Sequence, residues 1–232
     1  MSARLVCFDT ETTGLDFTAG DRVIEIGCVE ISGREKSGNE FQTYINPDGK
    51  EISKEAQEIT NISPDQINKA PKFKDIVDEF INFVKGAELV IHNAEFDIGF
   101  INNELKMIKH KVTDIRNICT IFDTLVHARK VFPGQRNNLD ALSNRLGISG
   151  YDRTHHGALL DAQILADTYL SLTGGQVTFD LAEDLSKPNI EENGSQANSL
   201  EFIKFSTNSA DENEHNKFLE MIKQRNNKEA NR

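Results

Sequence analysis

The sequence predicts an α/β protein built on a mixed sheet. Two patterns carry that expectation. Three apolar, β-branched runs follow one another in the first 45 residues, joined by short connections as in an antiparallel meander. Beyond residue 70 the period changes, and apolar residues recur at helical spacing between short buried runs.

Taken in order, residues 4–10 form an apolar strand that ends in acids, 22–31 (RVIEIGCVEI) a second strand, and 41–45 a third. Phe73, Ile76, Val77, Phe80, Ile81 and Val84 recur at i, i+3, i+4 and i+7, the stripe of an amphipathic helix, with Gly86 placed to close it. Residues 88–92 (ELVIH) read as a short buried strand, followed by a helix through about residue 109. A further strand is expected at 115–121, then helices near 123–131, 139–146 and 157–172.

The pattern stops near residue 181. Residues 182–200 are mostly Glu, Asn, Ser, Gln, Gly and Pro, too polar to offset their own ordering entropy, and read as a flexible linker. In 201–232 a short alternating run is followed by a weakly amphipathic helix with Phe218, Leu219 and Ile222 on one face. Elements this small cannot bury their own apolar faces. They are expected to order on a partner; the alternative is that they fold back on the body formed by 1–181.

Composition sets outer limits. A chain of 232 residues with 38% apolar and 27% charged residues is neither collagen-like, mucin-like nor wholly disordered. No apolar run approaches the ~20 residues of a membrane span. The first residues reach an acid by position 9, unlike a secretory signal. Three cysteines without CxxC spacing argue against a disulfide scaffold or a Cys-type zinc site, and a cytoplasmic location is expected. The net charge of −11 argues against a nucleic-acid partner unless several acids serve a cation.

Several acids are placed to do so. Asp9 and Glu11 lie two apart at the end of the first strand, on one face, where they repel unless a cation sits between them. An exposed strand tip would look the same. Asp97 falls just after the fourth strand, at a helix start; a first-turn acid favoured by the helix dipole is the bland reading. Asp161 lies early in an apolar helix and needs a partner, with His156 five residues before it. Four carboxylates and a neutral histidine suit two divalent ions, Mg²⁺ or Mn²⁺, and a general base. Glu25, inside an apolar strand, is either behind this site or on a solvated face. His92 is structural or substrate-facing, Asn93 and Asn138 read as helix caps, and Arg129, Lys130 and Arg136 touch phosphates or are merely solvated.

FDTETTG at 8–14, HNAEFDIGF at 92–100 and HHGALLDA at 155–162 resemble the three motifs of the DEDDh family of 3′→5′ exonucleases. The resemblance covers residues 4–181 closely and 200–226 loosely. It implies a ribonuclease H-like fold, a mixed five-stranded sheet flanked by helices. It also implies Asp9, Glu11, Asp97 and Asp161 as ligands of two metal ions, with Asp9 bridging, and His156 as general base. The H-x4-D spacing selects His156 over His155. Asp9, Glu11, Asp161, Glu55 and Thr60 then contact the terminal nucleotide; Thr60 stands where many relatives carry histidine. Gln176, Phe179 and Leu181 resemble a short clamp-binding segment, and 201–232 a segment that docks on the polymerase subunit of a replicative DNA polymerase, with room for a small third core subunit. The expected substrate is a DNA 3′ end. An exoribonuclease shares the same site chemistry, and a metal-free binding module is the reading from a different class.

Overall fold

A computed structural model describes residues 4–151 and 154–174. Its elements run β1 (Leu5–Thr12), a 3₁₀ turn at Phe17–Ala19, β2 (Val23–Ser32), β3 (Glu35–Tyr44), α1 (Lys54–Thr60), α2 (Pro64–Asn68), α3 (Phe73–Val84), β4 (Glu88–Ile91), α4 (Ala94–Met107), a 3₁₀ turn at Ile115–Asn117, β5 (Thr120–Asp123), α5 (Thr124–Val131), α6 (Leu139–Arg145) and α7 (Ala158–Gly174). The sheet is five-stranded and mixed, in the order β3-β2-β1-β4-β5. The meander holds: β1–β2 and β2–β3 pair antiparallel, whereas β1–β4 and β4–β5 pair parallel. No helix among the described residues is long and apolar enough to cross a membrane.

Alternation along the central strand assigns the two faces. Val6 and Phe8 point into a core with Phe73, Val77 and Phe80 of α3 and Ile98, Ile101 and Leu105 of α4. Cys7 points the other way, with Val29, Ile31 and Val90, against Ala162, Leu165, Ala166 and Tyr169 of α7. Each large side chain removed from water in these layers contributes roughly 1.5–3 kcal/mol. The α3 stripe is buried at every position read from the sequence. Gly86 follows the cap residue Lys85 with φ of 76°, a left-handed geometry that glycine accepts without strain.

Three expectations need correction. The strand expected at 115–121 begins only at Thr120, where pairing with Glu88 of β4 starts. Before it, Asn102 Oδ1 accepts from Ile115 N (2.9 Å) and Asp114 Oδ1 from Arg116 N (2.9 Å), which holds 115–117 in a 3₁₀ turn. β3 starts at Glu35 rather than 41, because the ladder with β2 extends through polar residues. Its first six residues are exposed on the sheet edge, where pairing is by backbone alone and leaves no apolar signal. The short helices α1 and α2 were not anticipated. Ser53 Oγ caps one by accepting from Ala56 N (3.0 Å), and Ser63 Oγ caps the other by accepting from Gln66 N (3.2 Å), with Pro64 in its first turn. The linker and docking segment, 182–200 and 201–232, and the clamp residues Gln176, Phe179 and Leu181 lie outside the described residues.

Candidate active site

The acids meet at the carboxyl ends of β1 and β4, the rim where open α/β sheets bind ligands. Asp9 and Glu11 share the β1 face covered by α7, as their spacing predicts. Asp97, in the first turn of α4, is buried and turned toward β1: its Oδ1 accepts from Thr10 Oγ1 (2.7 Å) and from Thr10 N (3.1 Å). Asp161, in the first turn of α7, is also buried, and its Oδ2 lies 2.8 Å from His156 Nδ1. Glu11, His156 and Asp161 each offer a ligand atom within 4.8 Å of the others. Asp9 and Asp97 stand outside that trio, but Asp9 feels the charges of Glu11 and Asp161, and Glu11 feels that of Asp97.

Electrostatics marks the site as frustrated. Burial, then the charges of Asp97, Glu11 and Asp161, raises Asp9 well above the usual carboxylate range. Burial, then Asp161 and Glu25, pushes Glu11 up to about 8. Burial likewise raises Asp97 to about 7, against the pull of its Thr10 bonds. Buried carboxylates this close resist ionising together unless a cation joins them. The four carboxylates make an oxygen donor set that fits hard divalent ions, so the residues present suit the metal that the site implies.

Neighbouring elements hold this arrangement. Thr13 ends β1 by exchanging bonds with Arg22: its N donates to Arg22 O (2.8 Å) and its Oγ1 accepts from Arg22 N (3.0 Å). The buried Arg22 guanidinium forks onto Glu104 of α4, with bonds of 2.6 and 2.7 Å. Removing one partner of such a pair costs about 3–5 kcal/mol. Helix α1 is tied to the site at both ends. Ser53 N donates to Thr13 O (2.8 Å), and His156 N donates to Ile59 O (3.0 Å).

Glu55 is exposed in the first turn of α1. Thr60 is buried at its end, where its hydroxyl donates to Ala56 O (2.9 Å) and accepts from Ile62 N (3.2 Å). His155 is exposed. His92 is half-buried with Nδ1 2.9 Å from Thr124 Oγ1, and burial lowers its pKa. Arg129, Lys130 and Arg136 are exposed, and Asn138 caps α6 by accepting from Ala141 N (3.0 Å).

Asn93 does occupy the cap position of α4, but in a left-handed conformation (φ 69°) and without a side-chain bond. The missing acceptor is Asp123, which sequence reading passed over. Its Oδ2 accepts from Ala94 N (3.0 Å) while its Oδ1 caps α5 at Leu125 N (2.8 Å) and Val126 N (3.0 Å). Glu25 is not on a solvated face. It is 1% exposed, directly opposite Glu11 in the β1–β2 ladder.

The comparisons agree with this geometry. The RNase_T family model, described as Exonuclease, matches residues 6–169. The chain is 46% identical over 183 residues to the DNA polymerase III subunit epsilon of Salmonella typhimurium strain LT2, an alignment covering 77% of this chain and 75% of the relative. It is 45% identical over 183 residues to the same subunit of Escherichia coli K12, with the same coverage. Among solved structures, a complex of Exonuclease X with 5′ overhanging duplex DNA matches with a TM-score of 0.55 and 24% identity, over 74% of this chain and 92% of that one. The nuclease domain of 3′hExo, described as a DEDDh family member bound to rAMP, matches with a TM-score of 0.60 and 18% identity, over 75% and 93%. Those two likenesses bear on the fold alone, whereas the family match and the curated relatives together cover the strands and helices that carry all five site residues: this chain belongs to the exonuclease family that includes the epsilon subunits of DNA polymerase III.

Proposed function

We propose that the chain is the 3′→5′ proofreading exonuclease of a replicative DNA polymerase III, hydrolysing the terminal phosphodiester of mispaired or single-stranded DNA 3′ ends. The observation that carries the proposal is the convergence of Asp9, Glu11, Asp97, Asp161 and His156 on one rim of the sheet. The four carboxylates would hold two divalent ions, Mg²⁺ or Mn²⁺. When bound, such ions lower the pKa of an attacking water and steady the leaving 3′-oxygen.

The chain's own groups do the rest. In the tautomer whose Nδ1–H donates to Asp161, His156 presents Nε2 as a lone pair able to take a proton from water. The bond from His156 N to Ile59 O fixes the backbone beneath that ring. Helix α1 supplies Glu55 and Thr60 to the terminal nucleotide, with the Thr60 hydroxyl also holding the end of the helix. The tail supports a role beside a polymerase in the cytoplasm. Segment 201–232 docks on the polymerase (alpha) subunit, Gln176, Phe179 and Leu181 touch the sliding clamp weakly, and a small third core subunit completes the assembly. Tethered through 182–200, the exonuclease would stay at high effective concentration near the growing end.

The test is single-turnover degradation of 5′-labelled single-stranded DNA and RNA of one sequence, with Mg²⁺ or Mn²⁺. It compares the full chain, Asp9→Ala, and a chain ending after residue 181. Stepwise 3′ shortening of DNA by the full and shortened chains, abolished by EDTA or Asp9→Ala, is expected. The shortened chain should no longer co-purify with the polymerase subunit. Preference for RNA would move the protein to the exoribonucleases, and no metal-dependent cleavage would overturn the enzyme reading.

A further inference from the structure

We infer that Glu25 is a positioning residue that fixes the first turn of α7, and with it Asp161 and His156, against the strand bearing Asp9 and Glu11. For its effect on activity the inference rests on the exonuclease reading above; its geometry stands by itself.

Helix α7 begins at Ala158, and the residue before it is Gly157, which has no side chain with which to cap the helix. The first N–H groups of a helix need acceptors from elsewhere. Here the acceptor crosses from the sheet: Glu25 Oε2 receives the Ala158 N–H at 3.1 Å, across 133 residues of sequence. Gln42 of β3 holds the other oxygen, donating from Nε2 to Glu25 Oε1 at 2.7 Å. Glu25 is thus clamped between an edge-strand amide and a helix start, and is almost fully buried.

The neighbouring glycine sets the distance at which this strap works. Gly27 lies opposite Asp9, as Glu25 lies opposite Glu11, so both sit on the β2 face that α7 covers. A Cβ at Gly27 would collide with the backbone of Ala158 and Leu159. The helix start therefore rests directly on the sheet at Gly27 and is bonded to it at Glu25. Asp161 follows within the same turn, its N–H donating to Gly157 O at 2.8 Å, and His156 immediately precedes Gly157. Contact and bond together fix α7 along and above the sheet, and so fix how far the α7 carboxylate lies from the two on β1.

The experiment compares wild type with Glu25→Ala and Glu25→Gln. Glutamine keeps an oxygen for the Ala158 N–H, and Gln42 can turn its amide to meet the new NH₂ group. Hydrogen exchange in residues 156–165 reads the strap without any assay of activity. The second readout is kcat and KM on single-stranded DNA with Mg²⁺. Glu25→Ala should exchange those amides faster and lower kcat by about 10- to 100-fold, with KM changed less than ~3-fold. Glu25→Gln should restore slow exchange and most of kcat. Unchanged exchange in Glu25→Ala would overturn the inference. So would a Glu25→Gln variant as impaired as Glu25→Ala, since the charge and not the strap would then matter. Should Glu25→Ala fail to fold, Gln42→Ala removes only the outer clamp and is expected to shift both readouts in the same direction; no shift overturns the inference. If wild type cleaves no DNA, the exonuclease reading falls while the exchange comparison still decides the strap.

Discussion

Thr10 lies between two carboxylates in sequence order yet serves a third. Its hydroxyl and its backbone N–H both donate to Asp97 Oδ1, which turns the first turn of α4 toward β1 and favours the ionised acid. Thr10→Val keeps the shape of the side chain and the backbone bond but removes the 2.7 Å hydroxyl bond. A hydrogen bond to a charged group contributes about 1.5–3 kcal/mol. Calorimetric titration should therefore show Mn²⁺ binding weakened by roughly 10- to 100-fold, and unchanged affinity would show the hydroxyl to be idle. Asp9, Glu11, Asp97, His156 and Asp161 were legible in the sequence because each lies inside a short motif whose spacing encodes a shared face or a shared loop. Thr10, Asp123 and Glu25 were not, because each acts on a residue 87, 29 or 133 positions away, a distance that no local pattern spans. Glu25 in particular looks, by alternation alone, equally suited to water.

Helix starts show the same divide at the next scale. Asn138 before its helix was legible because cap and helix adjoin. The cap of α4 was misassigned because Asn93 has the right residue type at the right place, while the bond comes from Asp123 at the end of the neighbouring strand. That one carboxylate caps α4 and α5 together. Losing a cap costs typically ~1 kcal/mol, so Asp123→Ala should destabilise by about 2 kcal/mol, against about 1 for Asn138→Ala. For a domain of this size the first variant should lower Tm by roughly 4–8 °C. Equal losses in denaturant melts of the two variants would show that Asp123 caps a single helix. The sheet core was readable because β1, β2 and β4 are apolar. The outer half of β3 was not, since an edge strand pairs through its backbone while its side chains stay wet. The helices α1 and α2, seven and five residues long, carry too few apolar positions to show a period.

The whole molecule should respond to pH through its site. A carboxyl with a folded pKa above its unfolded value holds its proton more tightly when folded, so stability falls as pH rises through that window. Glu11 at about 8 and Asp97 at about 7, with Asp9 raised as well, make the loss run from the unfolded carboxyl values near pH 4 up to roughly pH 8. Other groups act toward and below its acid end. Asp16, Asp21, Glu30, Asp48 and Asp114 are lowered by their hydrogen bonds, and their stabilising contribution is lost only below about pH 4. His92, lowered by burial, costs stability only below about pH 6.5. In EDTA, Tm should therefore fall from pH 6.5, above which His92 no longer opposes the trend, to about pH 8, and Mn²⁺ should raise it more at the upper end, by mass action on the ionised site. A Tm that rises with pH in EDTA, or a Mn²⁺ effect that shrinks with pH, would contradict the geometry.

The sheet order has a consequence for life at high concentration. A five-stranded sheet that does not close has two edges, and an open edge recruits strands from other chains. Here β5 is four residues long, too short to template a stranger. The longer edge, β3, displays Glu35, Lys36 and Glu40 around Gly38, and its ladder with β2 is interrupted between Val29 and Ile31. Charge, a glycine and an irregular register all oppose edge-to-edge aggregation. The polar half of β3 that hid the strand from sequence reading is thus the same feature that disfavours pairing of this edge with a second copy.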